Sequence, residues 1–224
     1  MESVTASSRT LIIKKLKPNQ HLLAVSKKQT LEKIEELYQQ GQRDFAENYI
    51  QEALTKIESS GHLDISWHLI GPIQKNKVKF LKKNFTYIHS IDSLSLAQLI
   101  SEKAQKLKHQ QKVFIQVNLS GEETKSGFDQ ATFLQAWPQL QKLAGLQIVG
   151  LMTMPPLENE AEKNRKYFHQ LKQLAHTCQL KELSMGTSHD YMVALEEGAT
   201  WIRVGTLLFG ERPQTKTSEQ EKHG

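Results

Sequence analysis

The stretch HLLAVSKKQT, His21 to Thr30, decides how the rest of the chain is read. Leu22 to Ser26 are apolar or small and fit a strand buried on both faces, and Lys27 and Lys28 then leave it. Side chains alternate along a strand, so only one of the two lysines can aim at the mouth of a buried sheet, and Lys27 is the candidate. The strand is followed by SKKQT rather than by the glycine-rich phosphate turn of an open dinucleotide-binding sheet. Next, Leu31, Ile34 and Leu37 recur at three-residue steps and Gly41 offers a stop, the pattern of an amphipathic helix.

Outward from this unit the same alternation repeats. Short apolar runs, many of them β-branched, occur at 21–27, 44–48 (DFAEN), 66–71 (SWHLIG), 87–92 (YIHSID), 112–119 (KVFIQVNL), 147–154 (QIVGLMTM), 181–186 (KELSMG) and 201–210 (WIRVGTLLFG). Helical patterns lie between several of them. One spans 158–178, where Tyr167, Phe168, Leu171 and Leu174 share a face, and another is the lysine-rich run 75–83, with Val78, Phe80 and Leu81 inward. In TFLQAWPQLQKL, Pro138 predicts a bend or the start of a new turn. Strand alternating with helix implies a parallel sheet covered on both faces, and eight such units can close into a single (β/α)8 TIM barrel. A doubly wound open sheet is the alternative. The 224 residues suit one domain, with polar ends at about 1–8 and 213–224 expected to fray.

Composition narrows the function classes. No segment reaches the ~18 consecutive apolar residues of a membrane helix. MESVTASSRT lacks the order of a secretory signal, and the single cysteine, Cys178, rules out an intrachain disulfide, so a cytoplasmic location is expected. The net charge of +5 leaves room for a basic nucleic-acid surface at Lys75–Lys83, but a solvated helix face is the simpler reading. His62 and His68 have no neighbouring cysteine or HExxH spacing that would make a zinc site.

In such barrels functional groups gather at the C-terminal ends of the strands. Those ends carry Lys27, Glu47 with Asn48, His68, Asp92, Asn118, Met152, Ser184 to Ser188, and Arg203 to Thr206. A lysine among apolar neighbours can act as a neutral amine toward a carbonyl group. Gly186, Ser188, Gly205 and Thr206 offer close backbone approach and hydroxyl donors to a phosphate, at the two loops where barrels often bind one. An aldehyde trap facing a phosphate cup suggests pyridoxal 5′-phosphate. The letters Ser188-His189-Asp190 do not make a hydrolase triad, because triad members converge from separate elements.

The motifs AVSK, FAENYIQE, WHLIGPIQKNKVK, SGEETKSGF, GLMTM, SMGTSHDY and IRVGTLLFGER, in this order, resemble the pyridoxal 5′-phosphate homeostasis protein family, whose fold is that of the alanine racemase N-terminal domain. The resemblance covers nearly the whole chain. It implies that Lys27 carries the cofactor as a Schiff base and that Ser188, Gly205 and Thr206 hold its phosphate. It further implies Asn48 near the ring hydroxyl, Arg203 near the pyridine nitrogen or the phosphate, and His68 and Met152 lining the ring. The chain departs from the family pattern SMGMS at Thr187 and in His189 after Ser188.

The function implied is cofactor binding, buffering and delivery by a monomer, with apo-enzymes that use pyridoxal phosphate as recipients and no turnover of its own. A weak amino-acid racemase is the alternative; it would need acid–base groups on both faces of the substrate carbon.

Overall fold

The computed structural model describes residues 4–122, 125–158 and 160–210, with side chains from Ser8 onward. Eight parallel strands form a closed barrel in sequential order: β1 (His21–Val25), β2 (Asp44–Glu47), β3 (Ser66–Leu69), β4 (Phe85–Ile91), β5 (Gln111–Gln116), β6 (Leu146–Met152), β7 (Glu182–Thr187) and β8 (Trp201–Val204). β8 returns to β1 with Leu23 opposite Arg203 and Ala24 opposite Val204, which closes the ring. The helices are α1 (Val4–Ile13), α2 (Leu31–Gln39), α3 (Ile50–Ser59), α4 (Leu94–Lys106), α5 (Gln130–Leu140), α6 (Arg165–Thr177), α7 (Tyr191–Glu196) and α8 (Thr206–Phe209). The barrel expected from the eight apolar runs is therefore the observed fold, and the open-sheet alternative falls.

Strand alternation divides the core in two. One set of strand side chains, among them Leu22, Ala24, Phe45, Leu69, Val113, Ile115, Ile202 and Val204, packs outward against Ile34 and Leu37 of α2, Ile100 of α4, Phe133 of α5 and Phe168 and Leu171 of α6. The other set fills the interior, where Leu23, Ala46, Phe114, Met152 and Trp201 form a smaller cluster. Burying each of these large side chains contributes roughly 1.5–3 kcal/mol before the entropy cost of ordering it. Helix starts follow local chemistry: Ser93 Oγ accepts from the Leu96 amide, and Asp129 Oδ1 from the Thr132 amide at 2.9 Å.

Several local expectations are corrected. Between β3 and β4, residues Lys75–Phe80 form a 3-10 helix rather than an α-helix. The buried residues there are Val78 and Leu81, three apart, which matches the 3-10 repeat, while Phe80 turns outward beneath Lys77 and Lys79. The run 201–210 is strand only to Val204; Gly205 breaks it, and Leu208 and Phe209 are buried from a short helix. Residues 161–164 are a 3-10 turn ahead of α6, and α5 continues through Pro138, which gives up the one ladder bond its N–H would have made to the Leu134 carbonyl. The first helix begins at Val4, inside the end expected to fray. It is tethered by buried Ile12 and by Arg9, which donates to Gln40 O at 2.6 Å and to Gln42 Oε1 at 3.2 Å. Residues 213–224, the other end expected to fray, lie outside the described residues.

Candidate functional site

A cavity of about 420 Å³ opens at the C-terminal end of the barrel, within the size range of small-molecule sites. Its wall includes Lys27, Asn48, Ser188, Arg203, Gly205 and Thr206. Six of the eight residues expected from the sequence are thus gathered in one place. Val25 and Lys27 lie on the same wall, whereas Lys28 is exposed with φ 59°; both lysines stand in the turn after β1, so it is the turn, not strand alternation, that separates them. Gly71 allows Asn48 to sit where it does: a Cβ there would stand 2.1 Å from the Asn48 carbonyl oxygen. Asn48 lines this wall, and its Oδ1 is buried with no hydrogen-bond partner among the described residues. An unpaired buried acceptor of this kind costs about 1–3 kcal/mol until a donor meets it.

On the opposite side, Ser188 Oγ accepts from the Gly205 amide at 3.2 Å, tying the β7 and β8 loops together and leaving the serine proton to point elsewhere. Gly186, at φ +88°, makes the turn into that loop; a Cβ would meet Ala194 Cβ at 2.5 Å. Thr187 donates from both its amide and its hydroxyl to Asp190 Oδ1, at 2.6 and 2.9 Å, and Asn164 Nδ2 donates to Asp190 Oδ2. The threonine that departs from the family pattern therefore braces the loop. Asp190 is spent on Thr187 and Asn164, which disposes of the triad reading. His189 is exposed and lines the cavity.

Two expected ring contacts are corrected. His68 and Met152 do not line the cavity; they are fully or almost fully buried inside the barrel below it. Met154 and Ile70, two residues further along their chains, reach the wall instead, because the strand ends lie deeper than the apolar runs suggested. Asn118 and Asp92 also stay off the wall: Asn118 bonds within its own loop, to Ser120, Gly121 and Glu122, and Asp92 borders a separate surface hollow.

Beneath Arg203 the interior holds a polar chain that composition and periodicity did not single out. Arg203 Nη1 donates to Ser184 Oγ at 2.8 Å, and Nη2 donates to Thr153 O at 2.9 Å and to Met154 Sδ. Ser184 Oγ lies 2.8 Å from His89 Nδ1, His89 Nε2 lies 3.0 Å from His68 Nδ1, and His68 Nε2 faces Ser66 Oγ and Asp44 Oδ1 at 3.2 and 3.4 Å. Burial keeps both imidazoles below their ordinary pKa, His89 well below, with the neighbouring His68 and Arg203 adding to the effect there. Burial also brings Arg203 down to about 10, still protonated at neutral pH. The signal available in the sequence was a polar residue in mid-strand on four strands of an otherwise apolar barrel.

The family described as alanine racemase, N-terminal domain, matches residues 8–213. Pyridoxal phosphate homeostasis proteins of Aquifex aeolicus and Synechocystis sp. are 44% and 43% identical to this chain, over 85% and 90% of it and 86% and 95% of their own lengths. The chain belongs to the pyridoxal phosphate homeostasis proteins. Among solved structures, PipY of Synechococcus elongatus PCC7942 is 40% identical and superposes with a TM-score of 0.88 over 92% of this chain and all of its own; it has been solved both without PLP and with PLP bound. Alanine racemase of Clostridium difficile 630, at 17% identity and a TM-score of 0.77, shares the barrel over 96% of this chain and 58% of its own. Among the described residues no helix is long and apolar enough to cross a membrane, and no group of three or more His, Cys, Asp or Glu side chains could hold a metal ion.

Proposed function

We propose that this protein binds pyridoxal 5′-phosphate reversibly at Lys27 and acts as a carrier that buffers the cofactor and passes it on. The observation that carries the reading is the meeting, in one cavity, of a lysine amine, an orphaned acceptor at Asn48 Oδ1 and a hydroxyl-lined turn at Ser188 and Thr206. When bound, pyridoxal 5′-phosphate supplies an aldehyde that condenses reversibly with a primary amine, releasing one water. Lys27 offers that amine. Asn48 Oδ1 accepts the proton of the ring hydroxyl, which removes the cost of its burial. Ser188 and Thr206 donate to phosphate oxygens, with Gly205 giving the backbone room to approach. Arg203, held by Ser184 and Thr153, keeps a positive charge at the floor and opposes a second proton nearby, which weakens the ring as an electron sink.

A carrier needs only these binding groups. A racemase needs proton exchange on both faces of a substrate carbon. Of the side chains on the wall, Lys27 and His189 are the acid–base types, and His189 adjoins Ser188 on the phosphate side. The free, buried Cys178 suits a reducing cytoplasm, and a monomer leaves the cavity mouth open to a recipient enzyme.

The test is direct. Full-length protein is mixed with pyridoxal 5′-phosphate, reduced with borohydride and mapped by mass spectrometry, alongside Lys27→Ala. A reduced adduct confined to Lys27 is expected, and an adduct elsewhere that survives in Lys27→Ala would overturn the site. Loaded protein should then reactivate a cofactor-free transaminase while exchanging no amino-acid α-proton in deuterated water. Exchange at about 1 s⁻¹ or faster that depends on Lys27 would establish the enzyme reading instead.

A further inference from the structure

Below the turn that carries Lys27 lies a cluster of charges the cavity does not use. Lys56 of α3, whose side chain is only 11% exposed, donates to Ser26 O at 2.7 Å, to Glu47 Oε1 at 2.8 Å and to Glu52 Oε1 at 2.7 Å. Ser26 Oγ donates to the same Glu47 Oε1 at 2.7 Å, and Glu52 Oε1 accepts from the Lys28 amide at 2.6 Å. Every one of these groups grips a residue next to Lys27, on one side or the other. We propose that Lys56, with Glu47 and Glu52, forms a clamp on Ser26 and Lys28 that positions Lys27 for covalent capture of the cofactor aldehyde.

Three features carry this beyond an ordinary ion pair. First, the pair is a poor source of stability: Glu47 is fully buried, its Oε2 has no partner among the described residues, and burial raises its pKa despite the attraction of Lys56. Desolvation of this kind offsets most of the Coulomb gain, so what the cluster supplies is direction. Second, the turn it holds is strained. Lys28 has φ 59°, a left-handed conformation that a residue with a side chain adopts at a cost and keeps only where its surroundings over-determine it. The bond from its amide to Glu52 is that over-determination. Third, the clamp is internally braced: Ser26 O also accepts from the Gln29 amide, so Lys27 lies between Ser26, held at backbone and side chain, and Lys28, held at its backbone amide. An amine must reach within bonding distance of one carbon at a defined angle, and small misplacements of such a group weaken capture more than they weaken simple binding.

The inference rests on the cofactor reading above, and the experiment separates the two. Pyridoxal 5′-phosphate is compared with pyridoxine 5′-phosphate, which has the same ring hydroxyl and phosphate but an alcohol in place of the aldehyde. In Lys56→Met, affinity for pyridoxal 5′-phosphate should fall at least about tenfold while that for pyridoxine 5′-phosphate stays within about twofold. Glu52→Ala, at a carboxylate that is partly exposed, should give the same selective loss and serves if Lys56→Met does not fold. Equal loss of both ligands would assign the cluster to fold stability alone, and no loss of either would remove it from the site; both outcomes overturn the clamp. If instead Lys27→Ala binds pyridoxal 5′-phosphate as tightly as the parent protein, the cofactor reading itself fails.

Discussion

His89 Nδ1 lies 2.8 Å from the Ser184 hydroxyl, and this one contact gives a direction to the polar chain through the barrel. Arg203 can only donate, so Ser184 Oγ accepts from it at 2.8 Å; of the two tautomers open to His89, the one whose Nδ1 accepts also gives the serine proton a partner, and we adopt it. His89 must then carry its proton on Nε2 and give it to His68 Nδ1. His68 in turn carries Nε2–H, aimed at Ser66 and at the Asp44 carboxylate. Donors run one way, from a buried guanidinium at the cavity floor to a carboxylate at the other mouth.

Both histidines should therefore be neutral Nε2–H tautomers in the ligand-free protein. Nitrogen-15 NMR of the imidazoles checks this. The expected result is unprotonated Nδ1 shifts for His68 and His89, unchanged between about pH 6 and 8. An Nδ1–H signal on His89 would reverse the chain.

Ser184→Ala removes the central link and leaves Arg203 Nη1 and His89 Nδ1 buried without their partner. The cost should be about 1–3 kcal/mol, read as a lower urea midpoint with an unchanged m-value. A midpoint within error of the parent would mean that the two groups find other partners.

Stability should fall as pH drops below about 6.5. His68 and His89 have folded pKa values below their ordinary value, so through this window the unfolded chain binds protons that the folded one refuses. Each contributes a slope of up to about 1.4 kcal/mol per pH unit, fully relieved above the unfolded pKa. Glu47 has the opposite sign: its folded pKa is raised, so it favours the folded state as pH falls toward 4.5. Two histidines outweigh one glutamate. Urea midpoints at pH 7.5 and 5.5 should differ accordingly, and His89→Gln should flatten the slope. A flat profile in the parent protein would refute the account.

Asn48 invites a test with a matched ligand. Asn48→Leu should weaken pyridoxal 5′-phosphate by roughly fivefold to tenfold, about the value of one neutral hydrogen bond. Against a 3-deoxy analogue, which lacks the ring hydroxyl, the substitution should make no difference. Equal loss for both ligands would place the hydroxyl elsewhere.

The barrel was legible because its evidence is repeated: eight apolar runs, each near a strand, outvote local ambiguity. The cavity position of Lys27 could be anticipated from its place just past the first apolar run, although the turn there, not the alternation of a strand, separates it from Lys28. Depth was not. Runs such as 201–210 and 147–154 continue past their strands, since the loop residues after a strand end can be as apolar as the strand itself, and so Met152 was expected where Met154 stands. His89 went unread because it sits inside an apolar run, and nothing in one strand reveals that its neighbour across the barrel is Ser184. Lys56 went unread for a similar reason. Four residues after Glu52 on a helix, it has the spacing of a surface pair, and only the fold turns it toward Ser26.

The pairing of β8 with β1 has a consequence for how the protein is made. Lys27 leaves the ribosome early, while Arg203, Gly205 and Thr206 are among the last of the described residues to emerge, yet they share one cavity wall. No shorter nascent chain can assemble that wall, because its two halves meet only when the ring closes. Capture of the ligand then reports ring closure, and a ligand that binds only the closed ring adds its binding energy to the slowest, most non-local step of folding. Truncation before Trp201 should abolish binding altogether instead of weakening it by degrees.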